Sequence, residues 1–209
     1  MFIDKNITRK TNLEKNDSLS AYEGMTCQQN PHCFEAFFEL LKNIKPNRIL
    51  EIGTALGGLT SYINLMCNKL ELDTEIRTYD RLGRHEYEKM KTCGIDVRIE
   101  NIFLDKYKGL ANHEVKDFIQ LAGPTIVLCD GGNKIAEFNI LSEFLKSGDV
   151  ILAHDYAFDK ATFQSNIKGK YWNWHEISES DILPSIQKYN LKPYMKEIFE
   201  KAVWVCKIK

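Results

Sequence analysis

At 209 residues the chain has the length of one domain and is too short for two full domains with a linker. Lys and Arg total 28 against 29 Asp and Glu, a net charge of −1, which removes any general attraction to polyanions and argues against nucleic acid or a membrane surface as partner. The opening MFIDKNITRK has no apolar signal-peptide core, and nowhere do about 18 apolar residues run together, so a soluble cytoplasmic protein is expected.

Taken in chain order, residues 1–22 are polar without a sustained apolar period and read as a mobile arm or a cap, leaving 23–209 as the folded domain. Phe34, Phe37, Phe38, Leu41 and Ile44 recur at helical spacing, and the helix should stop near Lys45-Pro46, since the residue before proline avoids helical angles. Arg48-Ile-Leu-Glu-Ile52 is a short apolar run closed by Gly53, the form of a buried parallel strand. Leu59, Tyr62, Ile63, Met66 and Leu70 return to helical spacing. The alternation continues with strands over 75–80, 96–103, 125–130 and 149–155 and helices over 86–93, 115–121 and 135–145. Such alternation selects an α/β fold, a doubly wound, mostly parallel sheet with helices on both faces and right-handed crossovers. Residues 157–177 are rich in aromatics (Phe158, Phe163, Tyr171, Trp172, Trp174) and read either as plain packing or as a wall or lid of a substrate pocket. Two extended-looking runs, 195–201 and 202–208, predict a C-terminal antiparallel hairpin or one bent strand. Six scattered cysteines without a C-x-x-C pair read as reduced, mostly buried thiols.

Glu51-Ile-Gly-Thr-Ala-Leu-Gly-Gly58 joins the first of these strands to a helix, where a doubly wound sheet accepts a nucleotide-like ligand at its carboxyl edge. Gly53 permits a sharp turn, and Gly57 and Gly58 let backbone approach a ligand. The spacing is neither G-x-G-x-x-G nor the triphosphate loop. Asp80, closing the next strand, is placed to accept both hydroxyls of a ribose, or simply to cap a turn. With Tyr79-Asp80, the glycine loop resembles the first two motifs of class I S-adenosylmethionine-dependent methyltransferases, a likeness running from about residue 23 through most of the chain. The succession Tyr22-Glu-Gly24, Gln29-Asn-Pro31, a helix, Lys45-Pro46 and then Glu51-Ile-Gly-Thr is similar to the cephalosporin hydroxylase and rhamnosyl O-methyltransferase family. That resemblance implies a Rossmann-like fold and S-adenosylmethionine as cofactor. It places Glu51 near the methionine amino group, the loop Gly53, Thr54, Gly57 and Gly58 around the methionine part, Asp80 on the ribose, Asn101 or Ile102 by the adenine, and Gln29 near the cofactor from the amino-terminal side. Asp130, on the same edge, joins the cofactor set.

Asp130 and Asp155 end two neighbouring strands and emerge on that edge, so with His154 they form a candidate site for magnesium or another divalent cation that would polarise an acceptor hydroxyl. The resemblance points the same way, because related metal-dependent O-methyltransferases hold magnesium with acids at these strand ends. The chain departs from that pattern at His154, where an acid is frequent, and at Asn133, followed by Lys134, where a histidine is frequent. As general base His154 ranks first, with an unperturbed pKa near ~6.5, and Lys134 second; His154 is read equally as a satisfied residue at a strand end. The expected activity is methyl transfer from S-adenosylmethionine to a hydroxyl of a small molecule, sugar-like or natural-product-like. The alternatives are an S-adenosylmethionine-binding accessory domain without transfer activity and a nicotinamide oxidoreductase. Assembly into a homo-oligomer stays open.

Overall fold

A computed structural model describes the backbone of residues 7–12, 17–22 and 25–209 and the side chains from residue 25 onward. Strands β1 (Ile7–Asn12), β2 (Asp17–Tyr22) and β3 (Met25–Cys27) form an antiparallel three-stranded sheet, so the segment expected as an arm or cap carries a hairpin that continues into β3. Glu23 and Gly24, part of the family resemblance, lie outside the described residues. Helix α1 (His32–Ile44) buries Cys33, Phe34, Ala36, Phe37, Leu40 and Leu41 on one face. It stops as expected, because Lys45 turns left-handed at φ 49° ahead of Pro46 and returns its N–H to the Leu41 carbonyl.

The central layer alternates as the sequence predicts: β4 (Arg48–Ile52), α2 (Gly58–Lys69), β5 (Glu75–Asp80), α3 (Glu86–Thr92), β6 (Asp96–Ile99), α4 (His113–Gln120), β7 (Thr125–Cys129), α5 (Lys134–Leu141) and β8 (Val150–His154). Then come β9 (Tyr156–Ala157), α6 (Lys160–Thr162) running into a π-helical turn Phe163–Ile167, β10 (Ile177–Ser178), α7 (Glu179–Tyr189), β11 (Lys192–Pro193), α8 (Lys196–Lys201) and β12 (Trp204–Ile208). Seven strands form one sheet in the order β11-β12-β8-β7-β4-β5-β6, parallel from β8 through to β6, with β12 antiparallel to both its neighbours.

Every residue of β4, β7 and β8 is buried because both faces of the sheet are covered. Ile49, Ile126, Leu128 and Leu152 pack with α1, α2 and α8 on one side. Their neighbours Leu50, Val127, Cys129 and Ile151 pack with α4, α5 and α7 on the other. Strand order reverses between β4 and β7, and at that point the carboxyl ends of an open α/β sheet leave a crevice.

Two sequence expectations need correction. The strand expected over 96–103 ends at Ile99, since Asn101 Oδ1 accepts the Phe103 N–H at 3.2 Å in a side-chain turn, and Phe103 then bridges Leu110 instead of the sheet. The run 195–201 is helical, not extended: α8 presents the fully buried Phe199 to Phe37 at 5.5 Å between rings. The antiparallel C-terminal pairing survives, formed by β11 and β12 with α8 between them. Among the described residues no helix is long and apolar enough to cross a membrane.

Candidate functional site

The loop after β4 is shaped by what crosses it. Gly53 has φ +96°, donates its N–H to the Tyr79 carbonyl at 2.8 Å, and a Cβ there would stand 2.2 Å from the Asp130 carbonyl oxygen. Only glycine lets β4 pass β7 so closely at the switch point. Gly57, at φ +73°, starts α2, while the space saved at Gly58 faces β3, where a Cβ would meet Cys27 Sγ at 2.6 Å. Gly58 thus seats the N-terminal sheet on α2 in addition to lining the cavity described next.

Two connected hollows lie over this loop. The larger, about 420 Å³, is lined by Gln29, Glu51, Thr54, Asp130, His154 and Trp172, with Gly57, Gly58, Lys134, Asp155, Trp174 and Glu176 completing its wall. The smaller, about 150 Å³, is lined by Asp80, Arg81, Asn101, Ile102 and Tyr107, and the two share Gly53, Ala55 and Asp130. Asp80 caps the Ala55 and Leu82 N–H groups at 2.9 and 3.0 Å, the turn-capping alternative of the sequence, and it also borders the smaller hollow. Glu51 is 2% exposed; Thr60 donates to its Oε2 at 2.6 Å, Thr78 donates to the same oxygen, and Thr54 donates in turn to Thr78. Burial pushes the Glu51 carboxyl up to about 7, against the opposing pull of the two hydroxyls.

At the larger hollow's far wall, β7 and β8 bring Asp130, His154 and Asp155 together with ligand atoms all within 4.8 Å of one another. His154 Nδ1 sits 3.0 Å from Asp130 Oδ1, which makes it the protonated nitrogen, and its buried Nε2 has no hydrogen-bond partner among the described residues. Gln29 braces the group: its amide nitrogen donates to Asp130 Oδ2 at 2.6 Å and its oxygen accepts the Trp204 indole N–H at 2.9 Å. Trp204 also stacks on His154 with ring centroids 4.9 Å apart. Asp155 holds a left-handed φ of 59°, a costly conformation for a residue with a side chain, and the Trp172 indole N–H anchors its carboxylate. Lys134 completes the cluster, 3.1 Å from Asp155 and 2.9 Å from Glu176.

The electrostatics follow from this packing. Burial alone would lower the His154 imidazolium, but Asp155 and Asp130 outweigh it and hold its pKa above the ordinary histidine value. Burial would raise the Asp155 carboxyl, but His154, Lys134 and the Trp172 donor bring it below the usual range. Burial likewise works against the Lys134 ammonium, yet Asp130, Asp155 and Glu176 raise its pKa, so Lys134 is held protonated and is a poor proton acceptor near neutrality. Two carboxylates and an imidazole within 4.8 Å suit one divalent ion with bonds of about 2.0–2.6 Å, provided the ammonium yields its place.

All the sequence-predicted site residues border these hollows, which puts the loop, Asp80 and the acid cluster on one continuous surface. Asn133 is a helix cap, its side chain accepting the Ala136 N–H at 3.1 Å. His175 is engaged elsewhere, stacked on Phe163 at 4.9 Å and paired with Ser178. The sequence gives no sign of Trp204, Glu176 or Glu137. Glu137 is buried and accepts the Gly131 and Asn133 N–H groups, both at 3.0 Å, fixing the turn after β7; burial raises its carboxyl to about 7.

The sequence profile of the family described as rhamnosyl O-methyltransferase/CmcI matches residues 16–173. Ribosomal RNA small subunit methyltransferase G of Borrelia duttonii (strain Ly) is 25% identical over 159 residues, covering 74% of this chain and 68% of that relative. A solved CmcI structure described as holding Mg and SAM is similar with a TM-score of 0.60 at 13% identity, over 90% of this chain and 76% of that one. A CmcI structure with SAH gives 0.56 at 13% identity over 90% and 82%. At these identities the structures speak for the fold; the profile match, spanning most of the chain over the same glycine loop and strand ends, speaks for the family. The chain belongs to the rhamnosyl O-methyltransferase/CmcI family of class I S-adenosylmethionine-dependent methyltransferases.

Proposed function

We propose that the protein transfers the methyl group of S-adenosylmethionine to a hydroxyl oxygen of a small sugar-like or natural-product-like molecule, with a divalent cation at the acid cluster. The observation that carries this reading is the larger hollow, which joins the glycine loop directly to Asp130, His154 and Asp155 beneath Trp172 and Trp174. The near-balance of 28 basic and 29 acidic residues favours such an acceptor over a polyanion.

In this reading Glu51 accepts the cofactor's ammonium, Gly53 and Thr54 turn the loop around its methionine part, Asp80 accepts the ribose hydroxyls and Asn101 borders the adenine. The sulfonium already leaves readily, so the protein's contribution is alignment of the acceptor oxygen with the methyl group and removal of its proton. Trp172 and Trp174 close the acceptor side against water. His154, oriented through Nδ1 by Asp130, offers Nε2 to the acceptor proton. Asp130 and Asp155, with His154 as third ligand, would hold a divalent ion, and such an ion supplies positive charge that lowers the acceptor's pKa. Nδ1 is the nitrogen that faces both acids, so as a ligand it would give up its proton and leave the ring's one proton on Nε2, which could then accept none; metal dependence therefore decides which role His154 takes.

The test is calorimetric titration with S-adenosylmethionine and with NAD, each with and without magnesium, beside Asp80→Ala, followed by mass-spectrometric screening of hydroxylated acceptors with an RNA control. Saturable binding of S-adenosylmethionine alone, weakened in the variant, and a methylated small molecule are expected. Failure to bind S-adenosylmethionine overturns the reading, and methylation confined to RNA overturns its acceptor.

A further inference from the structure

Lys134 occupies an unusual place. Asn133 caps α5, which makes Lys134 its first residue, and a cation there opposes the helix dipole. The helix therefore does not explain the position, and the acids do. The ammonium lies 3.1 Å from Asp155 Oδ2, 3.8 Å from Asp130 Oδ1, 2.9 Å from Glu176 Oε2 and 3.2 Å from the Gly131 carbonyl, on a side chain only 7% exposed. Two of these carboxylates are the ones that would hold a divalent ion. Buried carboxylates left without a counter-charge are strongly unfavourable, and here the chain brings its own. Two cations drawing on the same two carboxylates would repel at close range in a poorly solvated site, so ammonium and ion compete for them. Glu176 differs from the aspartates: it comes from the aromatic segment instead of a strand end, its side chain is 47% exposed, and it lies outside the candidate ligand trio.

We propose that Lys134 is a built-in counter-cation that competes with the divalent ion for Asp130 and Asp155, with Glu176 as the partner that keeps the ammonium when the ion enters. The inference rests on the metal-assisted part of the function proposed above. Its consequence is that the native cluster already holds a counter-charge without an ion and takes one up weakly, an affinity set by a residue that is not a ligand.

The experiment is titration of the full-length protein with Mn2+, free ion being read by electron paramagnetic resonance, for the wild type, Lys134→Met, Lys134→Gln, Glu176→Gln and the Lys134→Met/Glu176→Gln double variant. Asp155→Asn serves as the control that locates the ion. Removing the ammonium is expected to tighten Mn2+ binding on the order of tenfold or more. Glu176→Gln is expected to weaken it in the wild type and to do less in the Lys134→Met background, the non-additivity that marks two residues acting on one another. Should the Lys134 variants be unfolded alone, recovery of their melting transition by Mn2+ carries the same meaning, and failure to recover counts against the proposal. Equal Mn2+ affinity with and without Lys134 overturns the inference and leaves the metal reading intact. An absence of Mn2+ binding in the wild type and both folded Lys134 variants overturns the metal reading itself, and this inference with it.

Discussion

Glu51 is a carboxyl that burial moves up to about 7, although two threonine hydroxyls favour its charged form. An ammonium group placed against it would favour the carboxylate, so cofactor binding should expel a proton. We expect calorimetry near pH 6, repeated in buffers of different ionisation enthalpy, to show proton release on S-adenosylmethionine binding that vanishes by pH 8. Glu51→Gln should remove the release and weaken binding roughly tenfold or more. The same elevation bears on stability. A carboxyl whose folded pKa stands above its ordinary 4.5 contributes fully below that pH and loses its contribution as pH rises through about 7. Without cofactor, Glu51→Gln should therefore melt higher than the wild type at pH 8 and not at pH 4, as followed by circular dichroism. His154 carries the opposite charge logic: burial disfavours the imidazolium, and Asp155 and Asp130 more than restore it. If neutral His154 takes the acceptor proton, kcat/KM should climb with pH and level off above the ordinary histidine pKa, and Asp130→Asn should move that rise to lower pH. A rate independent of pH in this range would remove His154 from the role.

The glycine loop is an element whose geometry is set by its neighbours. Gly53→Ala combines φ +96° with a Cβ 2.2 Å from the Asp130 carbonyl, and Gly58→Ala drives a Cβ to 2.6 Å from Cys27 Sγ. The first should cost about 2–3 kcal/mol or more and abolish cofactor binding, while the second should cost about 1–3 kcal/mol and loosen the N-terminal sheet, both read from urea midpoints. Local rules suffice for such elements. The strand-loop-helix unit from Arg48 to Lys69 was legible because its signals sit within a few residues of one another, and Asp80, Asp130 and Asp155 were legible because each ends a strand on the same edge. What was not legible depends on distance along the chain. Trp204 reaches Gln29 across 175 residues, and Glu176 reaches Lys134 across 42, with no spacing rule to announce either. The run 195–201 misleads for another reason: over so few residues, Ile198 and Phe199 fit an extended pattern as well as a helical one, and packing on Phe37 decides. The early end of β6 turns on one side-chain hydrogen bond at Asn101 that periodicity does not register.

At the scale of the whole molecule the two ends of the sheet do different work. At the amino ends of β7 and β8, the fully buried Asp149 accepts the Thr125 N–H at 2.8 Å, the Lys146 N–H at 2.7 Å and the Lys146 ammonium at 2.9 Å on both oxygens. Asp149→Ala would strand these donors and should cost about 3 kcal/mol or more, lowering the melting temperature while the folded protein keeps its cofactor affinity. A matching loss of affinity at low temperature would show that the two ends are not separable. The carboxyl ends carry the hollows, and there β12, inserted antiparallel beside β8, adds Trp204 to the wall behind His154. With Trp172 and Trp174 lining the same cavity, the three tryptophans of the sequence all stand at one place. Intrinsic fluorescence, in most proteins an average over scattered indoles, is here a local optical probe: a change in emission during any titration reports events around Asp130, His154 and Asp155 without a label.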